Sequence, residues 1–142
     1  MLHCEADGLF CAADQVLARI SPNISVQAND PEGDPLGIFL RSLERLKQVV
    51  PAETLVLPGH NLPFVGLHAR LDELAAHHEA RCDAIVSAVH TPHSVAELLP
   101  VVFGRPIEDP HQMAFAFSEA LAHVNYLRRA GRVRLLDGRV QL

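Results

Sequence analysis

The 142-residue chain contains no Cys-x-x-Cys pair. Its three cysteines, Cys4, Cys11 and Cys82, are an odd and scattered set. That pattern argues against a disulfide framework. No apolar run approaches the ~18–20 residues that cross a bilayer. The N-terminal residues Met1 to Gly8 carry neither a basic stretch nor a long apolar core, so they read as no signal peptide and favour a cytoplasmic protein with no membrane partner. Excess positive charge is also lacking. The net charge of −5 gives no general attraction to nucleic acid. The sequence has no His-Glu-x-x-His and no internal repeat. Its serines Ser21, Ser25 and Ser42 have no neighbouring base, so a local nucleophile is not in view.

What is present is a chain able to bury a core, with 49% hydrophobic and 20% charged residues. Two short apolar segments, Phe10 to Ala13 and Leu55 to Leu57, each end in a metal-capable side chain: Asp14 in one, His60 after Pro58-Gly59 in the other. A strand that delivers one ligand from its end is a common element of metallohydrolase sites. Two ligands do not complete one, because zinc takes about four in structural sites and three plus water in catalytic ones. Taken singly, a strand-end aspartate is more often a turn or cap residue, and a loop histidine is more often merely exposed.

Around these segments the pattern alternates. Met1 to Cys4 and Leu9 to Ala13 flank Asp7-Gly8, which predicts a two-residue hairpin turn with Cys4 opposite Cys11 as two half-buried small residues. Residues 18–33 are polar and proline-rich, a long loop. Asp34 as N-cap and Pro35 open a helix that runs to Pro51 through Leu36, Phe39, Leu40, Leu43, Leu46 and Val50. A strand at 54–57 follows. After Gly66 the seam Leu67, Leu71, Leu74, His78, Cys82, Ile85 and Val89 predicts a long helix. Ser94 to Glu97 is a capping box predicting a short helix through Leu98 and Leu99. Asp109 caps a third, with a seam of Met113, Phe117, Ala120, Leu121, Val124 and Leu127 and an exterior of His111, Gln112, Ser118, Glu119 and His123. Gly131 ends it, and Asp137-Gly138 turns a terminal hairpin. Three helices and a hairpin are the layout of a winged helix.

Ala13 to Leu17, Arg19 to Ile24, Leu55 to His60 and Gly66 to Arg70, in this order, resemble the C-terminal part of metallo-β-lactamase-fold hydrolases. The closest group looks like the β-lactamase-like protein 2 type, with its appended winged helix. The resemblance implies an α+β chain: residues 1–66 as the C-terminal portion of an αββα metallohydrolase domain, and residues 67–142 as a winged-helix domain. It implies two zinc ions, Asp14 as the carboxylate bridging them and His60 as the last histidine ligand. The implied reaction is hydrolysis of an ester, thioester or phosphodiester in a small-molecule or RNA substrate. The His-x-His-x-Asp-His motif, which supplies most of the family's ligands, does not occur in these residues, and Ala13 stands where the family usually carries glycine. The chain is therefore expected to be a fragment whose Met1 is an internal or misplaced start, inactive alone, its orphaned strands favouring a homo-oligomer.

The alternative is a non-catalytic binding or dimerisation module. Residues 128–142 hold Arg128, Arg129, Arg132, Arg134 and Arg139 against Asp137 alone. Phosphate contacts from Arg132, Arg134 and Arg139 would be the means of touching nucleic acid.

Overall fold

The computed structural model describes residues 1–142. The elements follow in the order β1 (Leu2–Cys4), β2 (Leu9–Ala13), α1 (Pro35–Val49), β3 (Leu55–Pro58), α2 (Leu67–Ala88), β4 (His93–Ser94), α3 (Leu99–Phe103), α4 (Pro110–Arg129), β5 (Arg134–Leu136) and β6 (Arg139–Gln141). This is the expected α+β composition. The chain divides into two compact units, Met1–Pro22 with Leu40–Ala76, and Asn23–Phe39 with His77–Leu142.

In the first unit β1 and β2 pair antiparallel, and β2 and β3 pair parallel, with Phe10 opposite Val56. Parallel neighbours cannot be joined by a tight turn, and α1 lies in the connection between them. Side chains alternate along β2. Phe10 and Ala12 are buried, and Cys11 and Ala13 are exposed. Val56, Leu43, Leu46, Val50, Leu67, Leu71 and Leu74 complete that core. At about 25 cal/mol per Å² of apolar surface, each such leucine contributes roughly 2 kcal/mol to folding.

The first hairpin departs from the sequence reading. Cys4 faces Leu9 and Leu2 faces Cys11, so the loop has four residues, not two. Gly8 donates its N–H to the Glu5 carbonyl at 3.2 Å and sits at φ +62°, so Glu5 to Gly8 form the turn and the strands close outside it. Cys4 and Cys11 are consequently not paired across the strands, and both are exposed.

The second unit contains the Asp34 cap, which accepts the N–H of Gly37 at 2.9 Å. The Ser94 box is formed too: its N–H donates to Glu97 Oε2 at 2.7 Å, and its hydroxyl oxygen accepts from the Glu97 N–H at 3.3 Å. It does not open the helix directly. Residues 95–98 remain turns, and α3 begins at Leu99 with Pro100 in its first turn. Asp109 caps α4 by accepting from the Gln112 N–H at 2.8 Å.

The face of α4 keeps Ala120, Val124 and Leu127 of its predicted seam buried and departs from the rest. Met113 and Phe117 are exposed, and Ala116, Ala120, Ala122, His123, Val124, Asn125 and Leu127 are the buried set. Small residues and two polar ones therefore face inward along α4, which hydrophobic periodicity alone does not reveal. The terminal hairpin has the expected two-residue turn, with Leu136 opposite Arg139 and both Asp137 and Gly138 at positive φ. β4 adds to it, giving a second sheet in the order β4-β6-β5.

The polar loop at 23–33 is tied down. Val26 donates to the Ser118 carbonyl at 3.2 Å, and Asn125 Nδ2 donates to the carbonyls of Pro31 and Gly33, each at 3.0 Å. Arg128 pairs with Glu32 at 3.0 Å.

Candidate functional site

The C-terminal ends of adjacent parallel strands are where open α/β sheets bind ligands, and β2 and β3 both end in ligand-capable residues. Asp14 follows β2 directly, and His60 lies two residues beyond β3. The two exits are stitched together, because Gly59 donates its N–H to the Ala13 carbonyl at 2.9 Å. This brings His60 Nε2 to 3.5 Å from Asp14 Oδ1. That separation exceeds an ordinary hydrogen bond, and the side chains are 67% and 65% exposed, so neither is locked by burial.

Two backbone features build this corner. A Cβ at Gly59 would lie 2.3 Å from Asp14 Oδ1 and 3.2 Å from the Ala13 carbonyl carbon, so glycine is what permits the close approach. Ala13 is held at φ +49°, a left-handed conformation that costs a non-glycine residue roughly 1–2 kcal/mol. The pairing register of β2 with β3 also shifts between Cys11 and Ala13. The strand thus bends just before its carboxylate.

The loops beyond Asp14 and His60 are fixed as well. Arg70 Nε donates to the Leu17 carbonyl at 2.8 Å and a terminal nitrogen donates to the Ile20 carbonyl at 3.0 Å, while the guanidinium also pairs with Glu73 at 2.9 Å. Gln15 Nε2 donates to the Ser42 hydroxyl at 2.6 Å. Phe64 exchanges two backbone bonds with Val56, at 2.8 and 3.1 Å. His68 donates from Nε2 to the Val50 carbonyl at 2.8 Å, holding the end of α1. The roles of Gly59 and Arg70 were not read from the sequence. The adjacency of Pro58-Gly59-His60 to a strand end was the available signal for the first; nothing local signals the second.

Asp14 and His60 are chemically suited to a divalent ion: a carboxylate and an imidazole on converging backbones. No third His, Cys, Asp or Glu joins them in a metal-holding group. The pair therefore fits the nature of a zinc donor set and falls short of its number.

The other titratable cluster is of a different kind. His78 and His123 are fully buried. His123 Nδ1–H donates to the Glu119 carbonyl at 2.8 Å, so its Nε2 accepts from His78 Nδ1–H at 3.1 Å. His78 Nε2 is left without a partner. Burial drives the His78 pKa down to about 3, with the charges of His123, His77 and Arg81 adding to it. Burial likewise drives His123 to about 4, opposed by its bond to the Glu119 backbone and assisted by Arg81 and His77. Both rings are neutral and structural. His123 is thus no exterior residue of α4, and Glu119 is no free one, since it pairs with Arg81; burial raises its pKa against that pairing.

The arginines of the C-terminal hairpin region are engaged within the chain. Arg132 pairs with Glu79 at 2.7 Å and Asp83 at 2.6 Å. Arg134 donates to the Leu142 carbonyl at 2.7 Å, and Arg139 bonds the Pro92 carbonyl at 3.2 Å and Glu97 at 3.3 Å. No helix is long and apolar enough to cross a membrane.

Comparison with known proteins follows the same lines. Residues 82–141 match the family described as metallo-beta-lactamase-like, C-terminal domain. A beta-lactamase domain protein from Burkholderia ambifaria is 43% identical, with a TM-score of 0.92; the match covers 98% of this chain and 42% of that one. A metallo-beta-lactamase family protein from Thermus thermophilus is 35% identical, with a TM-score of 0.81, over 96% of this chain and 42% of its own. The chain thus spans about two fifths of the length of these solved relatives. A search of the curated proteins finds no match.

Proposed function

We propose that this chain, metallo-β-lactamase-like over nearly its whole length, is the C-terminal part of a zinc-dependent hydrolase of the β-lactamase-like protein 2 type. In this reading Asp14 is the carboxylate bridging two metal ions and His60 is the last histidine ligand. The observation that carries it is the 3.5 Å approach of Asp14 and His60 at the ends of two adjacent parallel strands. The identities of 43% and 35% to solved relatives more than twice its length support it.

Zinc in such a site supplies Lewis acidity and an activated water. The chain's own residues prepare the place. Gly59 and Ala13 hold the two strand exits together, and Gln15 and Arg70 fix the turn that follows Asp14. Ligands fixed by their backbone need no rearrangement when an ion or a substrate arrives. On these residues alone the site has two of the three or four donors that zinc needs, so the remaining ligands come from the part of the longer protein that this chain does not include. Residues 67–142 form the appended winged helix in this reading, with β4-β6-β5 as its wing.

The substrate class is an ester, thioester or phosphodiester. The test is metal content and hydrolysis in the longer protein. Asp14→Asn and His60→Ala should each lower bound zinc and cut kcat/KM by about 100-fold or more. Full zinc occupancy and unchanged hydrolysis in both variants would sink the assignment.

A further inference from the structure

A cleft of about 460 Å³ lies beyond the two strand exits, lined by Ala18, Arg19, Asn61, Leu62, Pro63 and Phe64. Its size is that of a small-molecule site. Both walls are prebuilt. The 18–19 wall hangs between the Leu17 and Ile20 carbonyls, each held by Arg70. The 61–64 wall is pinned at its far end by the paired Phe64 and Val56, and Asn61 turns through a left-handed φ of +69° at its near end. Leu62 is 79% exposed, a large aliphatic side chain standing in solvent.

The charge of the lining is simple. Arg19 is its one ionised residue, it is exposed, and its guanidinium has no hydrogen bond or ion pair within the chain. Arg70, Arg81, Arg128, Arg132, Arg134 and Arg139 are all bonded. A fixed loop that presents an unpaired cation beside an aliphatic wall matches a ligand with one negative group and an apolar chain.

We propose that this cleft binds an apolar acyl group bearing a single anionic group, with Arg19 pairing to the anion and Leu62, Pro63 and Phe64 contacting the chain. Resting on the hydrolase reading, this makes the substrate a monoester or monothioester of a dicarboxylic acid, whose free carboxylate pairs with Arg19 and for whose free end octanoate stands in, and not a nucleic acid. A polyanion calls for several cations along its path, and the cleft offers one.

The test is binding of octanoate to the protein by calorimetry, in excess chelator so that no metal contributes. Octanoate should bind at least about tenfold more tightly than acetate, octanol or octyltrimethylammonium. Arg19→Gln and Leu62→Asn should each weaken it by about tenfold, Arg19→Lys should retain most of it, and circular dichroism should be unchanged because both side chains are exposed. Octanoate affinity that Arg19→Gln leaves intact overturns the proposal, as does a uridine oligonucleotide that displaces octanoate at lower concentration. If Asp14→Asn and His60→Ala leave zinc unaffected while octanoate still depends on Arg19, the cleft stands and the hydrolase reading falls. The converse result removes the cleft alone.

Discussion

Two close pairs of polar side chains, each containing histidine, lie in different units of this molecule, and they are built on opposite principles. Asp14 and His60 are two-thirds exposed, 3.5 Å apart, and held by backbone that bends and packs tightly beneath them. His78 and His123 are fully buried, joined by a 3.1 Å hydrogen bond, and held by regular helix. The exposed pair costs little desolvation and leaves its lone pairs available. The buried pair has committed its protons to a chain of bonds ending at the Glu119 carbonyl. One arrangement suits an incoming ion, the other suits a core. Histidine count or sequence proximity does not tell them apart; burial and partners do.

The largest expected effect comes from breaking the buried pair with acid. Both folded-state pKa values, about 3 and about 4, lie below the ordinary histidine value of 6.5. Between those values the unfolded chain binds more protons than the folded one. Stability is therefore greatest above pH 6.5 and falls as the pH drops toward 4 and then 3. At roughly 1.4 kcal/mol per pKa unit, two such groups remove several kcal/mol, a large part of an ordinary domain's stability. Urea denaturation at steps from pH 7 to pH 4 should show this slope. The double variant His78→Leu and His123→Leu should remain folded at pH 7 and lose most of this slope, since replacing both partners leaves no unpaired ring nitrogen. The same slope in the double variant would show that other groups carry it.

A second comparison acts on the exposed corner. In Gly59→Ala the new methyl meets the Asp14 carboxylate and the Ala13 carbonyl carbon. The carboxylate is a short side chain in solvent and can swing away, so the stability cost should be small, about 1 kcal/mol. On the proposed zinc site, metal affinity should fall as well, by about tenfold or more. Equal metal affinity in Gly59→Ala would mean that the observed approach of the two strand exits does not matter to the proposed metal site.

Much of this was legible in the sequence, for a physical reason. The strands ending at Ala13 and Pro58, the Asp34 and Asp109 caps and the Asp137-Gly138 turn all rest on contacts within a few residues, which local pattern encodes. The hairpin at Asp7-Gly8 was misread because Asp-Gly serves both a two-residue turn and the end of a four-residue one; Gly8 accepts positive φ in either. The inward face of α4 was misread only in part: Ala120, Val124 and Leu127 lie in the predicted seam and are buried, whereas the small Ala116 and Ala122 are buried although hydrophobicity ranks them below the exposed Met113 and Phe117. Burial of His123 depends on His78, 45 residues away. The adjacency of Asp14 and His60 is equally non-local. It was reached through the resemblance of whole segments, and the structure then supplied the Gly59 to Ala13 bond beneath it.

Ala13 offers the finest test of the contrast. It occupies a left-handed φ of +49° immediately before Asp14, where a side chain costs roughly 1–2 kcal/mol. Glycine would remove that strain and add back part of it through the greater freedom of the unfolded chain, about 0.4–1 kcal/mol. Ala13→Gly should therefore stabilise the protein by about 0.5 kcal/mol, read as a raised urea midpoint with an unchanged slope. Nothing comparable exists at the buried pair, where α2 and α4 are regular helix around His78 and His123. Glycine there costs roughly 1 kcal/mol in backbone propensity alone, before the loss of the ring. A stabilising glycine beside Asp14 and a destabilising one in the helices is what a strained, exposed corner and a relaxed, buried core require. If Ala13→Gly lowers the midpoint, the bend before Asp14 is not strained, and the tight corner owes its shape to Gly59 alone.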